Sequence, residues 1–115
     1  MSDLADLQQK IIEFRDERNW KQFHNPKDIA ISLSLEAAEV LEHFQWKSPE
    51  EISKHLIDNK DKVAEELADV LYWVLLMAND IDIDIVAASR QKMHKNGKKY
   101  PVHKAKGNHK KYTEL

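Results

Sequence analysis

Apolar residues recur every three to four positions along most of the chain, which is the spacing of one buried helix face. Leu4, Leu7, Ile11 and Phe14 predict a first helix from about Ser2 to Asn19, with Ser2 as its N-cap. A polar-aromatic stretch, Trp20 to His24, interrupts the pattern. Asn25-Pro26 then supplies an N-cap with proline at the first helical position, opening a helix to about Gln45. Ser48-Pro49-Glu50-Glu51 repeats the start signal, with Ser48 and Glu51 spaced as a capping box. It predicts a short helix to about Ile57, broken at Asp58-Asn59. A long apolar helix follows from about Asp61 to Asn79. Asp82 or Asp84 caps a last helix, expected to end near Asn96-Gly97, where glycine can take the left-handed backbone. Pro101 forbids continuation, and Val102 to Leu115 reads as a mostly irregular tail. No stretch reads as a convincing strand. The chain is therefore expected to be all-α, with a helical domain over 1–101 and a basic tail over 102–115.

Composition narrows the chemistry. With 115 residues, one domain is expected. Hydrophobic residues at 42% and charged residues at 33% are too apolar for a disordered chain and too charged for a membrane protein. Two glycines leave no glycine-rich phosphate loop. The absence of cysteine removes disulfides, thiolate zinc sites and cysteine nucleophiles. No apolar run approaches the length of a membrane span and no leader pattern is visible, so the expected compartment is the cytoplasm. The net charge of −2 hides an asymmetry: residues 92–115 carry eight lysines and one acid, whereas residues 1–91 carry ten basic and nineteen acidic side chains. A basic end is either solvated or in contact with something anionic.

Helical projection isolates four carboxylates. In the second helix Ile29, Leu33, Ala37, Val40, Leu41 and Phe44 form an apolar stripe, and Glu36 and Glu39 lie on its edge with Ser32 and His43. In the long helix Leu67, Val70, Leu71, Val74, Leu75 and Ala78 form the core stripe, with Glu66, Asp69 and Trp73 on the flank. Both acidic pairs are three residues apart, one turn above each other. Lone pairs of this kind are usually solvated acids. Here each sits in a strongly apolar stretch, and Lys62 is the one cation within helical reach of either. If the pairs converge, two charges about 5 Å apart repel by roughly 3 kcal/mol at an effective dielectric of about 20. A marginally stable domain tolerates several such pairs only around a cation. Oxygen-only ligands select a hard ion, Mg²⁺ or Mn²⁺ before Zn²⁺. No glutamate has histidine three positions on, which disfavours a di-iron bundle. A carboxylate-only Mg²⁺ site points to phosphate-ester or phosphoanhydride chemistry.

At this point the residues resemble a known family. E-x-x-E at 36–39 followed by E-x-x-D at 66–69 is similar to the MazG-like all-α nucleoside triphosphate pyrophosphohydrolases. Phe14 to His24, Phe44 to Lys47, Glu65 to Leu71, Lys92-Met93-x-x-Asn96-x-x-x-Tyr100-Pro101 and Lys111 to Leu115 resemble its dCTP-pyrophosphatase branch. The resemblance implies a four-helix bundle completed between subunits, as a homodimer or homotetramer. It implies Mg²⁺-dependent cleavage of a nucleoside triphosphate, dCTP or a related pyrimidine, to monophosphate and pyrophosphate, as nucleotide-pool house-cleaning. Glu36, Glu39, Glu66 and Asp69 match the catalytic metal ligands. Trp20, Gln22, Phe23, His24, Trp46 and Trp73 match the base and sugar pocket, and Lys92 and Asn96 match positions near phosphates and base. Trp73 and Ile11 depart from the vertebrate branch, which carries Tyr and His there.

The residues agree chemically with that expectation. Flat aromatic faces stack on a base for about 1–3 kcal/mol each. In the expected mechanism Mg²⁺ held by the four acids bridges the phosphates and lowers the pKa of a bound water, and one glutamate accepts its proton. Two alternatives stand beside it. A nucleic-acid-binding module would use the Lys-rich tail, but leaves the acids unexplained. A structural helical oligomer would need sustained heptads, which are not present. No membrane partner is expected.

Overall fold

Among the described residues, four of the five α-helices begin where a side chain can satisfy the free amides of a first turn. In the computed structural model, which describes residues 2–115, these are α1 (Asp3–Glu17), α2 (Pro26–Glu42), α3 (Pro49–Asp80) and α4 (Ile85–Lys99); the fifth, α5 (Val102–Ala105), has no side-chain cap. Short 3-10 turns cover Trp20–Phe23 and Tyr112–Glu114, and no strand occurs among the described residues. Ser2 Oγ accepts from the Ala5 amide at 3.2 Å, and Asn25 Oδ1 from the Asp28 amide at 2.9 Å. Ser48 and Glu51 form the reciprocal capping box at 3.2 and 3.1 Å. Asp84 Oδ1 accepts from the Ala87 amide at 3.1 Å. Each cap is worth about 1 kcal/mol.

The chain divides into two units, one ending at Asp82 and one running Ile83–Leu115. In the first, α3 is the spine, and both α1 and α2 pack against it. Its core is Ile29 from α2 with Val63, Leu75, Leu76 and Ala78 from α3. Full burial of a side chain such as Ile29 or Leu76 contributes about 1.5–3 kcal/mol. Arg15 of α1 is also completely buried, and its Nη1 donates to Asp80 Oδ2 at 2.7 Å. Gln8 Nε2 donates to the Leu75 carbonyl at 2.9 Å, a second tie between α1 and α3. In the second unit, Tyr100 and Tyr112 meet edge-to-face at 6.0 Å, and Lys99 Nζ lies 4.7 Å above the Tyr112 ring.

The structure bears out one expected helix break and corrects four other sequence expectations. The break expected at Asp58-Asn59 is present: Asn59 is non-helical, at φ −129° and ψ 25°, and α3 consists of two helical segments joined across a kink there. Helix α2 stops at Glu42, short of Gln45; His43 keeps right-handed backbone, and the turn that follows ends at Trp46 in left-handed backbone (φ 66°). Helix α4 runs through Gly97 to Lys99 and stops before Pro101; the left-handed glycine is Gly107 instead. The apolar stripes are only partly covered: Ile29, Leu75 and Ala78 are buried, whereas Ala37, Leu41, Leu67 and Leu71 stay exposed. Three helices have too few neighbours to enclose two wide apolar faces. The tail also holds α5 and a 3-10 turn.

Candidate metal and substrate site

Packing of α2 along α3 brings the two acidic pairs face to face. One carboxylate oxygen from each of Glu36, Glu39, Glu66 and Asp69 lies within 4.8 Å of the other three. Glu36 and Glu66 are half-buried, and Glu39 and Asp69 are exposed. Glu36 Oε2 and Glu66 Oε2 are sealed from solvent with no hydrogen-bond partner. Unpaired buried carboxylate oxygens are costly unless a proton or a cation meets them. Protonation is the first remedy, and the crowding of the carboxyls favours it. A proton shared with Glu39, then burial, then the charges of Glu39, Asp69 and Glu36 push the Glu66 carboxyl up to about 7. Burial, followed by the same kind of sharing with Glu39, raises Glu36. The cluster therefore has the donor set, the spacing and the unmet charge to hold a divalent cation.

Two cavities flank the acids. The first, of about 510 Å³, is lined by Lys10, Ile11, Phe14, Trp20, Glu36, Asp69, Tyr72 and Trp73. Its aromatic wall is braced by edge-on contacts, Phe14 to Trp20 at 5.8 Å and Tyr72 to Trp73 at 5.1 Å. The Arg18 guanidinium covers the Phe14 ring at 3.7 Å. The cavity thus pairs an apolar, flat-walled chamber with two of the four carboxylates. The second cavity, of about 410 Å³, is polar and is lined by Glu39, Glu42, His43, Lys47, His55 and Glu66. There His43 Nδ1 lies 2.8 Å from His55 Nε2, and His43 Nε2 lies 4.0 Å from Glu66 Oε1.

The residues expected to bind substrate are placed unevenly. Trp20 and Trp73 line the aromatic cavity, and His24 meets Trp73 edge-on at 5.4 Å. Burial, then the Arg15 charge, lowers the His24 imidazole below its ordinary range. Gln22 Nε2 donates to the Asn19 carbonyl at 2.8 Å and lines a separate cleft with Asp16, Asn19 and Lys21. Phe23 and Trp46 are exposed, Trp46 by 92%. Lys92 and Asn96 lie on α4, in the second unit. Sequence reasoning passed over Lys10, Tyr72, His55 and the burial of Arg15. Arg15 follows Ile11 by four positions, so it falls on the apolar stripe of α1, a signal that it is enclosed. Tyr72 sits three positions after Asp69, on the same flank. Nothing in the spacing marks His55.

With this geometry established, known proteins give it a context. A family model described as the MazG-like family matches residues 31–115. The dCTP pyrophosphatase 1 of Rattus norvegicus is 39% identical over 114 residues, which is 97% of this chain and 67% of that protein. The Homo sapiens dCTP pyrophosphatase 1 is 37% identical over the same length, again 97% of this chain and 67% of its own. A crystal structure of a pyrophosphatase from Archaeoglobus fulgidus superposes with a TM-score of 0.82 at 41% identity, covering 88% of this chain and 94% of that one. Matched over most of its length by both sequence and fold, the chain belongs to the MazG-like family.

Proposed function

We propose that this protein is a divalent-cation-dependent nucleoside triphosphate pyrophosphohydrolase of the nucleotide house-cleaning type, acting in the cytoplasm on dCTP or a related pyrimidine. The observation that carries the reading is the convergence of four carboxylate oxygens within 4.8 Å beside an aromatic cavity of about 510 Å³. Glu36, Glu39, Glu66 and Asp69 are the residues to hold Mg²⁺, with Mn²⁺ as a substitute; the two orphaned oxygens of Glu36 and Glu66 support that assignment. Such a cation, when bound, offsets phosphate charge and acidifies water. Trp20 and Trp73 stack on the base, for about 1–3 kcal/mol per base. One of the glutamates accepts the proton of the water that attacks the α-phosphorus, in line with the departing pyrophosphate. By the family resemblance alone, Lys92 is assigned to the phosphates, Asn96 to phosphates or base, and Gln22, Phe23, His24 and Trp46 to the base and sugar.

The substrate class rests on the dCTP pyrophosphatases at 37–39% identity. Ile11 and Trp73 both face the cavity, so the two departures from the vertebrate branch fall where a base would be read. The working unit in this proposal is a homodimer or homotetramer. One copy leaves Ile31, Leu35, Leu41 and Leu67 of α2 and α3 exposed, apolar surface of the kind that subunit interfaces cover. Trp46 supports the same idea: a bulky residue in left-handed backbone, almost wholly exposed, gains nothing within one copy.

The test is pyrophosphate release across natural and modified triphosphates with Mg²⁺ or Mn²⁺. Release from a pyrimidine deoxynucleotide is expected. Asp69→Asn should keep the circular-dichroism spectrum and abolish release. Absence of metal-dependent release from every triphosphate would end the proposal, and full turnover by Asp69→Asn would end the ligand assignment.

A further inference from the structure

We infer that Asn59, His55 and His43 form a one-directional hydrogen-bond chain that positions the Glu66 carboxylate for its cation. The inference rests on the metal-site reading above and adds three positioning residues to it. All three lie outside the acidic motifs. His55 and Asn59 are on the first half of α3, Glu66 is on the second half, and His43 follows α2. Along a straight helix His55 and Glu66 would be about 16 Å apart. His43 spans that gap from the neighbouring helix, reaching His55 with one ring nitrogen and Glu66 with the other. Phe44 packs edge-on against His55 at 6.1 Å and beside His43 at 6.2 Å.

The direction of the chain follows from donor chemistry. Asn59 Nδ2 lies 3.3 Å from His55 Nδ1. An amide nitrogen only donates, so His55 Nδ1 accepts and the His55 proton sits on Nε2. His55 Nε2–H then donates to His43 Nδ1 across 2.8 Å. The His43 proton is left on Nε2, aimed at Glu66 Oε1 at 4.0 Å. The opposite direction, with the Asn59 amide turned over, would set the Nε2 lone pair of His43 against Glu66 Oε1 when that carboxyl is ionised, the form in which it holds a cation. Both ends of the chain therefore select one pair of tautomers. The last link is too long for a hydrogen bond and acts as an oriented electrostatic contact. It is effective because the side chains are only 14% (His43) and 25% (Glu66) exposed. Asn59 is also the residue of the α3 kink, so the backbone irregularity and the start of the chain coincide. Partners of this kind fix the rotamer of a metal ligand, and their loss typically costs about 10–100-fold in metal affinity.

The experiment is Mn²⁺ titration of the whole chain by calorimetry, without nucleotide. Wild type should bind, and Glu66→Gln should not; if wild type fails to bind or Glu66→Gln binds normally, the site reading and the inference fall together. With that control in place, His43→Leu should weaken Mn²⁺ by about 10–100-fold. His43→Gln, whose amide supplies a donor near the Nε2 position, should recover most of the loss even if it melts early. His55→Leu should weaken binding alone and add nothing on top of His43→Leu, because it acts through His43. Nitrogen chemical shifts of the folded wild type should report Nε2–H tautomers at both histidines, a signature independent of whether the variants fold. Unchanged affinity in His43→Leu, additive losses, or an Nδ1–H tautomer at either ring would overturn the chain while leaving the four-acid site standing.

Discussion

Two sets of charged residues in the first unit respond to pH with opposite sign. Burial alone would raise the Asp80 carboxyl, but the hydrogen bond from Arg15, with those from Asn79 and the Arg15 charge, holds it below the usual range. A depressed carboxyl contributes stability above its unfolded pKa of 3.8 and loses it as pH falls through the lower folded value. Arg15→Met keeps the stem and removes the charge, leaving Asp80 unpaired and largely enclosed. It should cost about 3 kcal/mol in denaturant unfolding and move the acid-unfolding midpoint upward. The acids of the candidate site behave in reverse. Glu66 is raised from 4.5 to about 7, so its contribution to the metal-free fold is full below pH 4.5 and is lost as pH rises through about 7. The melting temperature of the metal-free protein should fall across that window, and Mg²⁺ should restore it at the upper end. A flat profile, or no response to Mg²⁺, would contradict a strained acid cluster.

The helices show which local signals decide structure. Ser2, Asn25 and Ser48 cap helices as their spacing predicted, and of the two candidates Asp82 and Asp84 it is Asp84 that caps α4, because a cap needs only a side-chain oxygen and the amides of the next turn. Breakers were less decisive. Asn59 interrupts the helical backbone where expected and leaves a kink in α3, whereas Gly97 disfavours helix by too little to end α4 and is carried within it. Gly97 has no positive φ and open space where a Cβ would stand. Gly97→Ala should therefore stabilise α4 by about 0.5–1 kcal/mol, read as added helicity and a higher melting temperature. A loss of stability would mean that the glycine is required for something other than backbone freedom.

For the whole molecule, the decisive quantity is apolar surface left uncovered. Leu35 is 61% and Leu67 55% exposed on a single copy. If that surface lies between subunits, sedimentation of the wild type should give a dimer or larger. Leu35→Asp should then shift the population to monomer and lower the melting temperature. A wild-type monomer at micromolar concentration would refute the assembly.

The sequence by itself determined the helical class, the caps, and the two acidic pairs on flanks of apolar stripes, since all of these depend on spacing within about two turns. It also carried the family resemblance, through ordered blocks of residues. Only the tertiary structure decided that α2 and α3 set the pairs within 4.8 Å, that Tyr72 and Lys10 share the aromatic cavity, that Arg15 is enclosed against Asp80, and that His43 links His55 to Glu66. The physical reason is range. Helix periodicity says which face a residue occupies, but the partner on another helix depends on crossing, kink and depth, which are set by packing over the whole unit.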